Sequence, residues 1–167
     1  MTAQPQDSRS FYLFVAFATL LLDQITKWLV ARQLALGEMQ RVLPGLFSFT
    51  HLQNRGAAFG LFADSDSSVV QVLLVSFSVA ALMLVLFLLW RGVSSAWAGW
   101  GLGLILGGAL GNLIDRLRAG SVVDFLDFHL GRYHWPAFNL ADSAVVIGAV
   151  ALMIEVLRSR PSRDKEA

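Results

Sequence analysis

The stretch of sequence that decides the fold lies at residues 96–116 and reads AWAGWGLGLILGGALGNLIDR. A helix rises about 1.5 Å per residue, so about 20 apolar residues cross the hydrocarbon core of a bilayer, which is about 30 Å thick. The first ionisable side chain of this stretch, Asp115, stands near its end. We therefore interpret residues 96–115 as a transmembrane helix.

Small residues mark one face of this helix. Gly99, Gly103, Gly107 and Gly111 recur every four residues, so they form a smooth stripe along the helix. Such stripes let helix backbones approach closely within lipid. The pattern predicts close helix packing. Polar chemistry begins where the stripe ends, since Asn112, Asp115 and Arg116 share a face at spacings of three and four.

Three further stretches are long and apolar enough to span a membrane, at residues 11–32, 69–90 and 137–157. Only 15% of all residues are charged, and the mean hydropathy is +0.60. We predict an all-α membrane protein in which residues 1–167 form a single polytopic domain with four transmembrane helices. The short connection at residues 91–95 makes the second and third helices an antiparallel hairpin. The other connections, residues 35–68 and 116–136, are long.

Basic residues indicate the orientation of the chain. The C-terminal tail carries four of them, which places it in the cytoplasm by the positive-inside rule: Arg158, Arg160, Arg163 and Lys165. With four spans the N-terminus is cytoplasmic as well, and both long connections lie on the outer side. Arginines in those connections weaken this charge bias. The first apolar run continues through Asp23 and Lys27 to Val30, which suits a retained span better than a cleaved signal peptide.

Composition excludes several classes of function. The chain has no Cys, so disulfides, thiolate nucleophiles and thiolate metal sites are ruled out. Its formal net charge of +1 makes nucleic acid an improbable partner. His51, His129 and His134 lack the spacing of a metal site on one helix, so we interpret them as surface or interfacial residues. We expect no cofactor and no metal. Any catalysis must then come from side chains with oxygen or nitrogen groups.

The first outer connection contains a β-like segment. At residues 42–52, β-branched and aromatic residues alternate partly with polar ones beside the turn Pro44-Gly45. This pattern predicts a small strand or hairpin on the membrane surface. Residues 54–60 then suggest a tight backbone segment that re-enters the interface.

Asp23 and Lys27 are an i, i+4 pair inside the first span. An ionisable residue at that depth costs about 2.5 to 3.5 kcal/mol on insertion scales, so it needs a partner. Two interpretations stay open: a self-neutralising pair that orients a loop, or part of a functional site.

Two acids lie on the outer side among apolar neighbours. Asp142 follows Asn139, a suitable N-cap, at the start of the fourth span, and Asp124 stands within Val122-Val123-Asp124-Phe125-Leu126. Asp142 could simply compensate the helix dipole. If the two carboxylates meet, they share one proton and their pKa values split. One can then activate a water while the other protonates a peptide carbonyl, as in an aspartic peptidase that needs neither metal nor covalent intermediate.

Two rival functions use the same residues. A small transporter could relay protons or ions through Asp23, Lys27 and Asp142, although the ionisable residues crowd towards one interface. A serine-lysine peptidase would pair Lys27 with one of three serines, Ser143, Ser48 or Ser121, but Asp23 should keep that lysine charged.

Five blocks together resemble a known family, the bacterial lipoprotein signal peptidases or signal peptidase II. They are Asp23-Gln24-Ile25-Thr26-Lys27, Asn54-Arg55-Gly56-Ala57-Ala58-Phe59, Gly107-Gly108-Ala109-Leu110-Gly111-Asn112-Leu113-Ile114-Asp115-Arg116, Val122-Val123-Asp124-Phe125 and Phe138-Asn139-Leu140-Ala141-Asp142-Ser143. The resemblance implies an enzyme of the bacterial inner membrane that removes the signal peptide from diacylglyceryl-modified prolipoproteins, cutting before the lipidated Cys. We expect the protein to be a monomer. Its active site would lie near the outer face in contact with membrane lipid, and globomycin-type inhibitors would block it.

The resemblance also assigns residues. It implies that Asp124 and Asp142 are the catalytic pair, and that eight residues support the site or bind substrate: Asp23, Lys27, Asn54, Gly56, Asn112, Arg116, Asn139 and Ala141. It further implies an extracytoplasmic β-cradle in the first connection and a short mobile helix in the second. Arg116 could meet a lipid phosphate or a backbone carbonyl. Arg55 departs from the Thr more usual in the family, which leaves the contacts of that loop open.

Overall fold

A computed structural model describes residues 6–56 and 68–158. Its four long helices are α1 (Gln6–Gln33), α2 (Ser68–Arg91), α3 (Ala96–Ala119) and α4 (Leu140–Arg158). All four have the length and composition to cross a membrane, as predicted. Three boundaries differ from the prediction by three residues or more, the first being the start of α1 at Gln6 rather than residue 11. Helix α3 continues past residue 115 to a left-handed cap at Gly120, and α4 begins at Leu140 rather than residue 137 because Asn139 caps it.

Helix α3 lies at the centre of the bundle. A Cβ on Gly103 would stand 2.8 Å from the carbonyl oxygen of Tyr12 in α1, and one on Gly107 would collide with the backbone of Ala16. On another face, a Cβ on Gly101 would stand 2.8 Å from the carbonyl oxygen of Gly148 in α4. The prediction of close packing along the glycine stripe is therefore confirmed. These contacts hold α1 and α4 against α3.

A small antiparallel sheet completes the fold. Its strands, in the order in which they pair, are β1 (Met39–Leu43), β2 (Phe47–Asn54), β3 (Val122–Leu130) and β4 (Tyr133–His134). The predicted hairpin in the first connection is confirmed, because β1 and β2 pair across a turn at Gly45, whose φ is 78°. Residues 57–60 of the predicted tight segment lie outside the described residues, as do Arg160, Arg163 and Lys165 of the basic tail.

The second connection corrects the prediction of a short helix. Residues 120–139 are all described, and they form β3 and β4 but no helix. The physical reason is pairing with a distant segment: β3 satisfies its backbone groups against β2, with Leu52 opposite Asp124. The described residues thus form a four-helix bundle and a four-stranded sheet built from both long connections.

Candidate active site

Asp124 lies on β3, and its side chain is buried. The residue is 3% exposed and its carboxylate accepts two hydrogen bonds from amide side chains. Asn54 Nδ2, at the end of β2, donates to Oδ2 at 3.0 Å, and Asn139 Nδ2 donates to Oδ1 at 2.7 Å. The sheet therefore brings Asn54 to Asp124, and the start of α4 brings Asn139.

Asp142 occupies the first turn of α4 and takes part in a reciprocal cap. Its backbone N–H donates to Asn139 Oδ1 at 2.9 Å, while the Asn139 N–H donates to Asp142 Oδ2 at 3.3 Å. The predicted N-cap role of Asn139 is confirmed. The other carboxylate oxygen, Oδ1, accepts from Asn112 Nδ2 of α3 at 2.7 Å. The cap therefore holds Asp142 in place, while its Oδ1 stays bonded to Asn112.

Asn139 bonds to both acids, so the structure brings Asp124 and Asp142 together. Burial and the negative charge of Asp142 raise the pKa of Asp124 from its ordinary value of 3.8 to about 7, against the opposing hydrogen bonds from Asn54 and Asn139. The pair therefore offers one readily protonated carboxyl beside a second carboxylate. Such an arrangement can act as acid and base at neutral pH.

A buried charge cluster stands behind the pair. Lys27 Nζ lies 2.8 Å from Asp23 Oδ2 and 2.7 Å from Asp115 Oδ2, and it donates to Asn112 Oδ1 at 2.8 Å. Asn112 thereby links Lys27 to Asp142. Asp23 also accepts the N–H of Ala141 at 2.9 Å, next to Asp142. The Asp23–Lys27 pair therefore fits both interpretations, because the two residues neutralise each other and also hold residues of the candidate site.

Two members of this cluster were missing from the predicted site residues. Asp115 is the second acid on Lys27, and Gln24 Nε2 donates to Asp115 Oδ1 at 3.0 Å. The signal for Asp115 was its spacing of three from Asn112 on one helix face. The signal for Gln24 was only its position beside Asp23.

Arg116 fixes the chain that follows β2. Its Nη2 donates to the Gly56 carbonyl at 3.0 Å, and the Gly56 N–H donates to Asn54 Oδ1 at 2.9 Å. This partner belongs to the chain itself, so a contact of Arg116 with a lipid phosphate or a substrate carbonyl stays a prediction. The predicted residues Asn54, Gly56 and Arg116 thus form one connected group that reaches Asp124.

The geometry weakens both rival functions. Within the described ranges no hydrogen bond joins Lys27 to a serine, and Ser143 Oγ donates instead to the Asn139 carbonyl at 2.9 Å. For a transporter, the acid near the other end of α4, Glu155, accepts a hydrogen bond from Ser94 Oγ at 3.3 Å. It stands about 20 Å along the helix axis from Asp142.

The histidines do not all behave as predicted. His51 Nδ1 lies 2.9 Å from the Leu34 carbonyl oxygen. His129 and His134, however, meet at Asp127 on the β3–β4 hairpin, and the side chain of His129 is only 7% exposed. Helical spacing could not reveal a cluster that a hairpin creates.

Comparisons with known proteins extend over nearly the whole chain. A family model described as signal peptidase (SPase) II matches residues 15–158. The chain is 44% identical over 147 residues to a lipoprotein signal peptidase of Solibacter usitatus, which covers 87% of this chain and 90% of that protein. It is 46% identical over 144 residues to one of Desulforapulum autotrophicum, with coverage of 86% and 89%.

Solved structures agree with these sequence relatives. One bacterial membrane enzyme superposes with a TM-score of 0.81 at 26% identity, covering 95% of this chain and 94% of that one. A second superposes with a TM-score of 0.79 at 28% identity, covering 90% and 95%. The bundle and its sheet are therefore a fold already seen in membrane enzymes.

Proposed function

We propose, since this chain belongs to the signal peptidase II family, that it is an endopeptidase that removes the signal peptide from diacylglyceryl-modified prolipoproteins. The family is one of proteases, and its named relatives process lipoproteins. We place the cut before the lipidated Cys. The observation that carries the proposal is that one residue, Asn139, bonds to both acids. It bonds to Asp124 through its side chain and to Asp142 through its backbone and side chain.

The proposed mechanism gives the two acids different roles. Asp142 is the base, because it lies at the N-terminus of α4, where the helix dipole favours negative charge, and accepts a hydrogen bond from Asn112. It takes a proton from a water, whose oxygen attacks the scissile carbonyl carbon. Asp124 is the acid, because its raised pKa keeps a proton available to the carbonyl oxygen. As the tetrahedral intermediate collapses, its C–N bond breaks, Asp142 gives the proton it took from water to the departing amine, and Asp124 regains a proton from a hydroxyl of the intermediate.

The surface of the bundle supports a lipid-borne substrate. Phe14, Phe77 and Val146 on three different helices are 63%, 78% and 59% exposed, as expected of side chains that face acyl chains. We propose that a signal peptide and two acyl chains reach the acids sideways from the bilayer. Arg116, held by the Gly56 carbonyl and close enough to interact with the charges of Asp124 and Asp142, would meet a lipid phosphate or a substrate carbonyl.

We further propose that the chain is a monomer of the bacterial inner membrane with both termini in the cytoplasm. The sheet and the acids then lie at the outer face, and the sheet serves as the extracytoplasmic cradle for the substrate. Globomycin-type inhibitors would occupy the same site.

A cleavage assay with purified protein tests this function. The wild-type enzyme should cut a diacylglyceryl-modified prolipoprotein and leave the unmodified precursor intact. Asp124→Asn and Asp142→Asn should each lower the rate by about 10² to 10⁴ or more, the usual contribution of a positioned acid or base. Equal cleavage of both precursors would refute the lipid requirement, and near-normal cleavage by either folded variant would refute the acid pair.

A further inference from the structure

Three side chains outside the acid pair meet on the β3–β4 hairpin. The strands pair His129 with His134 across a turn at Gly131, whose φ is 61°. Directly paired residues extend their side chains from the same face of a sheet, and the two imidazole rings stack with centroids 4.7 Å apart. Asp127, two residues before His129, has its side chain on that face as well.

The ligand atoms of these residues converge. His134 Nδ1 lies 2.9 Å from both carboxylate oxygens of Asp127, and His129 Nδ1 lies 3.7 Å from Oδ2. One nitrogen or oxygen from each of the three residues lies within 4.8 Å of the others. A tetrahedral zinc site with bonds of about 2.0 to 2.1 Å separates its ligand atoms by about 3.3 Å. Small ring rotations would therefore suffice to reach that geometry.

One buried nitrogen of the cluster lacks a hydrogen-bond partner among the residues that the structure describes. His129 Nδ1 is buried, and it has no hydrogen-bond partner among residues 6–56 and 68–158. The His129 side chain is 7% exposed and the Asp127 side chain 5% exposed. Burying a polar nitrogen without a partner costs about 1 to 3 kcal/mol, whereas a metal bond would satisfy it.

The site also has room for a fourth ligand. A cavity of about 170 Å³ opens beside His129 and His134, and Arg41 lines it as well. A water or a small anion next to that guanidinium could complete the coordination. Ser48, which pairs with Asp127 across the sheet, is fully buried, and its hydroxyl also has no hydrogen-bond partner in the described part of the chain.

We propose that Asp127, His129 and His134 form a binding site for a divalent metal ion of the zinc type. Two imidazoles and one carboxylate are a common donor set for zinc. Imidazole nitrogens suit borderline metals such as zinc better than they suit magnesium or calcium. The ion would join β3 to β4 and so stabilise the hairpin. It is structural rather than part of the peptidase chemistry, because the side chain of Asp127 bonds to His134, whereas that of Asp124 bonds to Asn54 and Asn139.

The test is metal binding to the full chain, which does not depend on peptidase activity. The protein is purified in detergent micelles without a polyhistidine tag, stripped with a chelator and titrated with Zn²⁺ by calorimetry. We expect one Zn²⁺ per chain and a higher thermal midpoint with the ion. Co²⁺ should give the visible absorption of tetrahedral coordination, and Zn²⁺ should displace it.

Substitutions assign the binding to the cluster. His134→Gln should weaken Zn²⁺ binding by about 10- to 100-fold or more, and it should fold, because the His134 side chain is 44% exposed. His129→Gln and Asp127→Asn should behave alike. His51→Gln is the matched control, since it removes a histidine outside the cluster, and Asp142→Asn should also bind normally. The proposal fails if the wild type binds no stoichiometric Zn²⁺, if folded His134→Gln binds as tightly as wild type, or if His51→Gln loses binding equally.

Discussion

At the level of single residues, Asn139 connects the two halves of the candidate site. Its capping role could be predicted from sequence, because Asn is favoured at that position and Asp142 follows three residues later. Its bond to Asp124 could not, since it joins residues 15 apart on a strand and a helix. Fully buried, Asn139 leaves neither its amide nitrogen nor its oxygen without a partner.

The raised pKa of Asp124 predicts a pH dependence of both activity and stability. The folded protein holds this proton up to about pH 7, whereas an unfolded chain releases it near the ordinary value of 3.8. The folded state therefore binds more protons between these values, and the free energy of unfolding falls as pH rises through this window, by up to about 4 kcal/mol. The cleavage rate should fall as pH rises above about 7, because the acid loses its proton.

Thermal midpoints measured at about pH 5 and about pH 8 check the stability half of this prediction. The wild type should lose stability between the two conditions, and Asp124→Asn, which cannot ionise, should lose much less. An equal loss in both proteins would show that another group is responsible.

At the level of helices and strands, α3 positions the site through its glycine face. Gly111 leaves room for the Asp23 carboxylate, and Asn112 on the next position joins Lys27 to Asp142. The glycine stripe and the polar residues after it could be predicted from the sequence, because helical periodicity is a local pattern. The partners of the stripe were not, because they depend on how α1 and α4 pack.

Gly111→Ala should therefore damage the site from a distance. The added methyl would collide with Asp23 Oδ2, so this carboxylate must shift away from Lys27 and from the Ala141 N–H. We expect a loss of about 1 to 3 kcal/mol in stability, as is usual for overpacking, together with slower cleavage. Thermal unfolding in detergent measures the first effect and the cleavage assay the second.

Ala119→Leu is the matched control for this substitution. It adds bulk to the exposed last turn of α3, where we expect a change within about 0.5 kcal/mol. If Gly111→Ala were as stable and active as this control, the close approach of Asp23 to α3 would have no energetic consequence.

Strand β3 shows why the sheet was only half predicted. The β1–β2 hairpin has a local signal in its Pro-Gly turn, whereas β3 pairs with a strand nearly 70 residues earlier and has no such signal. Its sequence, VVDFLDFHL, breaks regular alternation because both Asp124 and Asp127 are buried. The cluster of Asp127, His129 and His134 was missed for a different reason, since it depends on the local β3–β4 hairpin, which was not predicted.

At the level of the whole molecule, four apolar helices could be predicted from hydropathy and length alone. The meeting of the acids could be predicted only as a consequence of topology, which placed both at one end of the bundle. The resemblance named Asn54, Asn112 and Asn139 as supporting residues, but the hydrogen bonds by which they hold the acids could not be predicted from the sequence.

The proposed orientation predicts which connections are accessible from outside the cell. Because the chain has no Cys, single cysteines can be introduced without removing any native one. Arg132→Cys, on the exposed β3–β4 turn, should react with a membrane-impermeant maleimide on spheroplasts. Ser94→Cys, in the exposed α2–α3 connection, should react only after the membrane is permeabilised. The reverse pattern would place the sheet in the cytoplasm.

The most direct test of the central claim, that Asp124 and Asp142 act as one unit, is a double-mutant cycle. The rate of prolipoprotein cleavage is measured for wild type, Asp124→Asn, Asp142→Asn and the double variant, with folding checked by thermal unfolding. Groups that share one catalytic task are strongly non-additive, so the double variant should be about as slow as the slower single variant. Losses that multiply would contradict the account, because the two carboxylates would then contribute independently.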